Sequence, residues 1–251
     1  MVKAARQGKG KGKQQANAKP FIGLVIFVAI LGAAALGYAL TRNSATATTV
    51  DANIPAGQAQ GYLIGKPDAP VQVSEFADFE CPACGIFSAL TEPDVRSRLV
   101  ETGVIAYRFY DFPLAMHRNT WAASNAAACA SDQGKFWEMH DLIFGAQDRW
   151  NTQATSNPKK PLTELARQLG LDMKTWDGCF ESKSHYGRIK GNQAEGERRM
   201  VQQTPTFIIG DKMLPGSLSF DQFKGWVDSA LKSAPKANAK TAEAAKKGAS
   251  K

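Results

Sequence analysis

The 251-residue chain is 43% hydrophobic, enough to bury one sizeable core, and its length fits one domain with appendages rather than two full domains. Its formal net charge of +8 sits at the ends: residues 1–20 carry six Lys or Arg and no acid, residues 231–251 carry six Lys and one Glu, and the stretch between them is about −3. A basic globular surface for nucleic acid is thereby excluded, and no nucleic-acid partner is expected.

In chain order, residues 1–20 read as a basic cytoplasmic segment. Residues 21–40, FIGLVIFVAILGAAALGYAL, contain no charge and no proline, and as a helix would be about 30 Å long, the thickness of a bilayer's hydrocarbon core. The alternative is a cleaved signal peptide, whose apolar region runs only about 7 to 15 residues, with Ala45-Thr46-Ala47 as the cleavage site. The length favours an uncleaved, single-pass anchor. Cations before the span keep the N-terminus in the cytoplasm, so the rest of the chain is expected outside the cell membrane, in a periplasmic or other extracytoplasmic space. All four cysteines, Cys81, Cys84, Cys129 and Cys179, fall in that exported part, where thiols are not held reduced.

Residues 41–60, rich in Ala, Thr, Gln and Gly, read as a flexible linker. The globular region then spans 61–232, and the Lys/Ala-rich tail 233–251 has too little to bury to fold. Within the globular region, PVQVSEFADFE (70–80) has the content of a buried strand and ends at Cys81-Pro82-Ala83-Cys84, after which GIFSAL suits a helix. A strand, a Cys-Pro-Ala-Cys turn and a helix suit a nucleophilic thiol. Cys81 would face the unpaired N–H groups and positive dipole end of the helix, which favour thiolate. Pro82 fits the first helical turn, where its missing N–H costs nothing, and Cys84 would be the more buried, resolving thiol.

A second strand is predicted over 103–114, helices over about 115–202, a strand over 205–210 and a short strand or hairpin over 211–216. The last helix starts at Ser219, with Gln222 closing a capping box and Phe220, Phe223, Val227 and Leu231 on one face. The fold class is therefore α/β: a thioredoxin-like fold with an inserted helical subdomain, preceded by one transmembrane helix.

EFADFECPAC, the insertion containing GKFWEMHDLIF, and TPTFIIG together resemble the DsbA family of exported thiol-disulfide oxidoreductases, particularly its membrane-anchored bacterial members, over about 61–231. The resemblance implies that Cys81 attacks and Cys84 resolves. It implies that Glu75 is the acid beneath the dithiol, and that Thr204 and a cis Pro205 face the disulfide and line the substrate site. It also implies reduced exported proteins as substrates and a quinone-linked membrane oxidase of the DsbB or VKOR type for reoxidation. Ala83 departs from the best-known member, which has a histidine between its cysteines, so the oxidising strength is left open.

Other readings compete. A zinc site at Cys81 and Cys84 would need two more ligands, and no second CxxC exists, so neither a metal nor a cofactor is expected. Glu75 could face water, and Pro205 could be trans. Cys129 and Cys179 are expected to form a structural disulfide, the alternatives being a second redox pair or two buried thiols. His117, in PLAMHRNTW, could tune the dithiol or be solvated at a helix end, and is left outside the expected site. The leading function is oxidation of exported proteins' cysteines by a monomer, against a reductase, an isomerase or a chaperone-like protein with an idle disulfide.

Overall fold

The structure is a computed structural model that describes residues 30–32, 48–49 and 59–233. The chain divides into two units, Met1–Ser44 and Ala45–Lys251. Of the first, only Ile30, Leu31 and Gly32 are described, as helix. The expected basic segment, the rest of the expected span 21–40 and the tail beyond Ser233 lie outside the described residues. Among the described residues no helix is long and apolar enough to cross a membrane.

The second unit is built on a sheet of six strands: β1 (Thr48–Thr49), β2 (Tyr62–Ile64), β3 (Val71–Ala77), β4 (Ile105–Asp111), β5 (Thr206–Ile209) and β6 (Lys212–Pro215), in the order β1-β6-β5-β3-β4-β2. Only β3 and β4 are parallel, with Val71 opposite Ile105 and Ala77 opposite Asp111. The other neighbours are antiparallel. A parallel neighbour needs a crossover, and helix α1 (Pro82–Leu90), the single turn α2 (Glu92–Val95) and a π-helical turn (Arg96–Val100) supply it. The segment read as a linker contains β1, which pairs with β6, and it ends at Gln60, whose N–H donates to Asn192 Oδ1 at 3.0 Å.

β3 is central because both of its faces are apolar. Val71 and Val73 point into a core with Phe87, Phe207, Phe223 and Val227, while Phe76 points to the other face with Phe112, Val201 and Ile208. Period-two alternation places Glu75 on the same face as Val71 and Val73, and it is buried there. The closing helix α9 (Phe220–Ser233) covers that face through Phe223 and Val227. Its capping box forms, with Ser219 N–H donating to Gln222 Oε1 at 2.9 Å and Gln222 N–H to Ser219 Oγ at 3.3 Å.

The insertion contributes α3 (Thr120–Ser131), α4 (Phe136–Gly145), the short α5 (Gln147–Trp150), α6 (Lys159–Gln168), α7 (Met173–Ser182) and α8 (Tyr186–Arg198). α3 is at its centre: Ala123, Ala126, Ala127, Ala128 and Ala130 are all fully buried, and side chains this small let other helices approach from several sides. Trp150 and Trp176 fill the gaps between helices and satisfy their indole N–H groups on the carbonyls of Ile143 and Ala126. On α8, a Cβ at Gly196 would lie 2.5 Å from the Phe112 ring, so only glycine allows this helix so close to the sheet.

Cys129 on α3 is bonded to Cys179 on α7 across fifty residues. Closing a loop of that size removes unfolded-chain entropy worth about 4 kcal/mol. The double variant Cys129→Ser/Cys179→Ser is therefore expected to lose roughly 2–4 kcal/mol of stability in urea denaturation monitored by tryptophan fluorescence. An unchanged midpoint would show that the bond carries no such constraint.

Candidate active site

β3 ends at Ala77, and the chain turns through Asp78, Phe79 and Glu80 into α1. Cys81 is the N-cap of α1, with extended backbone (φ −71°, ψ 122°) and no side-chain cap of its own. Pro82 occupies the first turn and is exposed, Ala83 is half-buried, and Cys84, one turn along, is completely buried. Both cysteines are free thiols. Cys81 is only 7% exposed, so its sulfur reaches solvent through a narrow opening.

The turn is tightly held. Cys81 N–H donates to Asp78 O at 3.0 Å and Gly85 N–H to Cys81 O at 3.1 Å. Gln147, from the insertion, spans the turn by donating its amide to Phe79 O at 2.6 Å and Cys81 O at 3.0 Å. A Cβ at Gly85 would lie 2.6 Å from Gln147 Oε1, so the glycine makes room for this brace. No feature of the sequence near Gln147 announces the contact.

Opposite Cys81 lies the loop before β5. The Thr204–Pro205 bond is cis, both residues are buried, and Cys81 Sγ–H donates to Thr204 O at 3.4 Å. Cys81, Cys84, Thr204 and Pro205 thus come together from segments more than a hundred residues apart. The Cys84 thiol, then the Thr204 side chain and the N–H groups of Cys84 and Ala83, hold the Cys81 thiol down to about 6 against the opposing effect of burial. Burial pushes the Cys84 thiol well up, and the neighbouring Cys81 and Glu75 push it further.

Glu75, which interacts electrostatically with both cysteines, is buried and accepts a 2.6 Å hydrogen bond from the Tyr107 hydroxyl. Burial, and then the buried Glu92, raise its carboxyl to about 8. The Tyr107 hydrogen bond and the charge of Arg96 oppose this only in part. The Arg96 guanidinium is bound to Glu92 at 2.7 Å and to both Asp141 oxygens at 2.9 Å. Glu75 therefore keeps its proton at neutral pH, and the arrangement can present a thiolate at Cys81, a protonated thiol at Cys84 and a protonated carboxyl at Glu75.

Among the described residues two groups could gather around a metal. One contains Cys129 and Cys179, already bonded to each other, and the other contains Glu92, His140 and Asp141, already joined through Arg96. Neither includes Cys81 or Cys84.

The family model described as Thioredoxin matches residues 58–229. The chain belongs to the DsbA family of thiol-disulfide oxidoreductases. Disulfide bond formation protein D of Bacillus subtilis is 26% identical to it, over 68% of this chain and 77% of that protein. The crystal structure of alpha-DsbA1 from Wolbachia pipientis superimposes with a TM-score of 0.62 at 22% identity, covering 68% of this chain and 90% of that one. The Na(+)/H(+) antiporter NhaA 3 of Salinispora tropica is 32% identical over 186 residues, which are 74% of this chain but 27% of that protein. The chain therefore spans about a quarter of the length of the first curated relatives it matches.

Two DsbA-family positions give a test in pH. Glu75 holds its proton in the folded state up to about pH 8 but loses it near 4.5 when unfolded, so folding binds an extra proton between those values and stability falls as pH rises through them. Glu75→Gln mimics the protonated form. Its stability relative to wild type is expected to be level below about pH 4.5, to rise up to about pH 8 and then to plateau, as read from urea midpoints across pH. Alkylation of the reduced protein by iodoacetamide should follow a single ionisation near pH 6, from Cys81.

Proposed function

We propose that this chain is an extracytoplasmic oxidase that passes the Cys81–Cys84 disulfide to the cysteines of exported proteins. The observation that carries the reading is the asymmetry of the two sulfurs. Cys81 sits at a helix N-terminus, where thiolate is favoured, while Cys84 is fully buried and held as thiol. Whatever stabilises the Cys81 thiolate stabilises the reduced protein, and that makes the disulfide the stronger oxidant.

In this mechanism a substrate thiolate attacks Cys81 Sγ, the Cys81–Cys84 bond breaks, and Cys84 leaves with the electron pair. Glu75, protonated directly below, supplies the proton that converts Cys84 to its thiol. A second substrate thiolate then attacks the substrate sulfur of the mixed disulfide and expels Cys81 as thiolate. The substrate has gained a disulfide and the enzyme two electrons. The buried Thr204 and Pro205 form the wall against which the substrate chain lies during exchange. A quinone-linked membrane oxidase of the DsbB or VKOR type removes the electrons. The cationic residues 1–20 and the apolar residues 21–40 support an anchor that keeps both proteins at one membrane.

The test is trapping. Cys84→Ser leaves the Cys81 thiolate able to attack a substrate disulfide but removes the thiol that would release it, so mixed disulfides should accumulate on non-reducing gels. Cys81→Ser should trap little, and wild-type protein should oxidise a reduced model substrate. Equal trapping by both variants would overturn the roles. Insulin reduction without oxidation of the model substrate would move the function to the reductase side.

A further inference from the structure

The sequence places two acids directly before the nucleophile, in Asp78-Phe79-Glu80-Cys81, and both are buried: Asp78 is 1% exposed and Glu80 4%. Two carboxylates this close to Cys81 oppose a thiolate there. Glu80 is satisfied by backbone N–H groups alone, from Asn119 at 2.9 Å and from Thr152. Asp78 differs. Its Oδ1 accepts from Glu80 N–H at 2.7 Å, and its Oδ2 accepts from Leu114 N–H at 2.8 Å and lies 2.8 Å from His117 Nδ1. His117 is thus fixed in the loop after β4, with its side chain 14% exposed, against the residue whose carbonyl receives the Cys81 N–H.

We propose that His117, clamped to Asp78, is a positioning residue that supplies the positive charge balancing the buried acids beside Cys81 and so tunes the oxidising power of the dithiol. The inference rests on the dithiol reading above. Ala83 brings no charge between the two cysteines, so the cation comes from a loop 36 residues beyond Cys81. The groups that face the imidazole are Asp78, Glu80 and Cys81. The hydrogen bond to Asp78 raises the His117 pKa most, the three negative charges add to that, and burial opposes it. Around the Cys81 sulfur itself the closer supports are Cys84, Thr204 and the first N–H groups of α1. His117 adds a charge to that set without touching the sulfur.

Two variants of the full chain separate charge from scaffolding. His117→Gln keeps a side-chain amide that can donate to Asp78 but removes the charge, and His117→Ala removes both. The readouts are the ultraviolet absorbance of the Cys81 thiolate against pH and the redox equilibrium with glutathione. Both variants are expected to lower the equilibrium constant for reduction of the dithiol about fivefold, or about 20 mV at roughly 30 mV per tenfold, with the thiolate midpoint moving up accordingly. The gap between wild type and His117→Gln should shrink toward alkaline pH, because a raised His117 pKa means that its charge is complete at low pH and is lost as pH rises through it. An unchanged thiolate midpoint in both variants overturns the inference, and so does a shift confined to His117→Ala, which would assign the effect to loop position. Far-ultraviolet circular dichroism and the intact Cys129–Cys179 bond verify that each variant is folded. Failure of wild-type protein to exchange disulfides with glutathione at all would overturn the dithiol reading instead.

Discussion

The proposed chemistry depends on where an electron pair can rest when a Cys81–Cys84 bond opens. α1 begins one residue after Cys81, so the sulfur meets backbone N–H groups that have no partner within the helix. One turn further on, the same helix carries Cys84 into the core, where a thiolate would have no solvent to stabilise it. The two-residue spacing thus converts one helix terminus into two opposite environments. All the surrounding contacts preserve or adjust that difference.

The join between β3 and α1 has to be rigid for the same reason. The sheet holds one end, through β4 on one side of β3 and β5 on the other. The insertion holds the other end from outside, through Gln147 on the carbonyls of Phe79 and Cys81 and through the N–H groups of Asn119 and Thr152 on Glu80. The insertion is therefore part of the site's framework, and its own cohesion bears on the dithiol. The Ala-rich α3, the two buried tryptophans and the Cys129–Cys179 bond maintain that cohesion.

Charge beneath and beside the dithiol is arranged by pairing. Arg96 is bound directly to Glu92 and Asp141, so its charge lowers the Glu75 carboxyl only in part, and burial and Glu92 keep Glu75 neutral with a hydrogen bond from Tyr107. Asp78, in contrast, has His117. One buried acid thereby holds its proton at neutral pH, while its neighbour three residues on anchors a loop. The difference lies in their partners, since both are carboxylic acids at the end of one strand.

Much of this was legible in the residues alone. The Cys-Pro-Ala-Cys turn after an apolar strand, the capping box at Ser219 and Gln222, and the parity of Glu75 with Val71 and Val73 are local patterns, set by backbone periodicity and by hydrogen bonds spanning a few residues. They determined the strand, turn and helix, while the confinement of positive charge to the two ends argued against a basic nucleic-acid surface. The short edge strands were not legible: Tyr62–Ile64 and Thr48–Thr49 are strands only because β4 and β6 offer them free edges. His117 and Gln147 were not legible either, because a solvated residue and a buried brace read alike in one dimension. Their roles depend on which segments the fold brings within about 3 Å of one another, and that is decided by the packing of the whole domain. The sequence by itself determined which atoms can do chemistry, and only the tertiary structure decided which charges those atoms face.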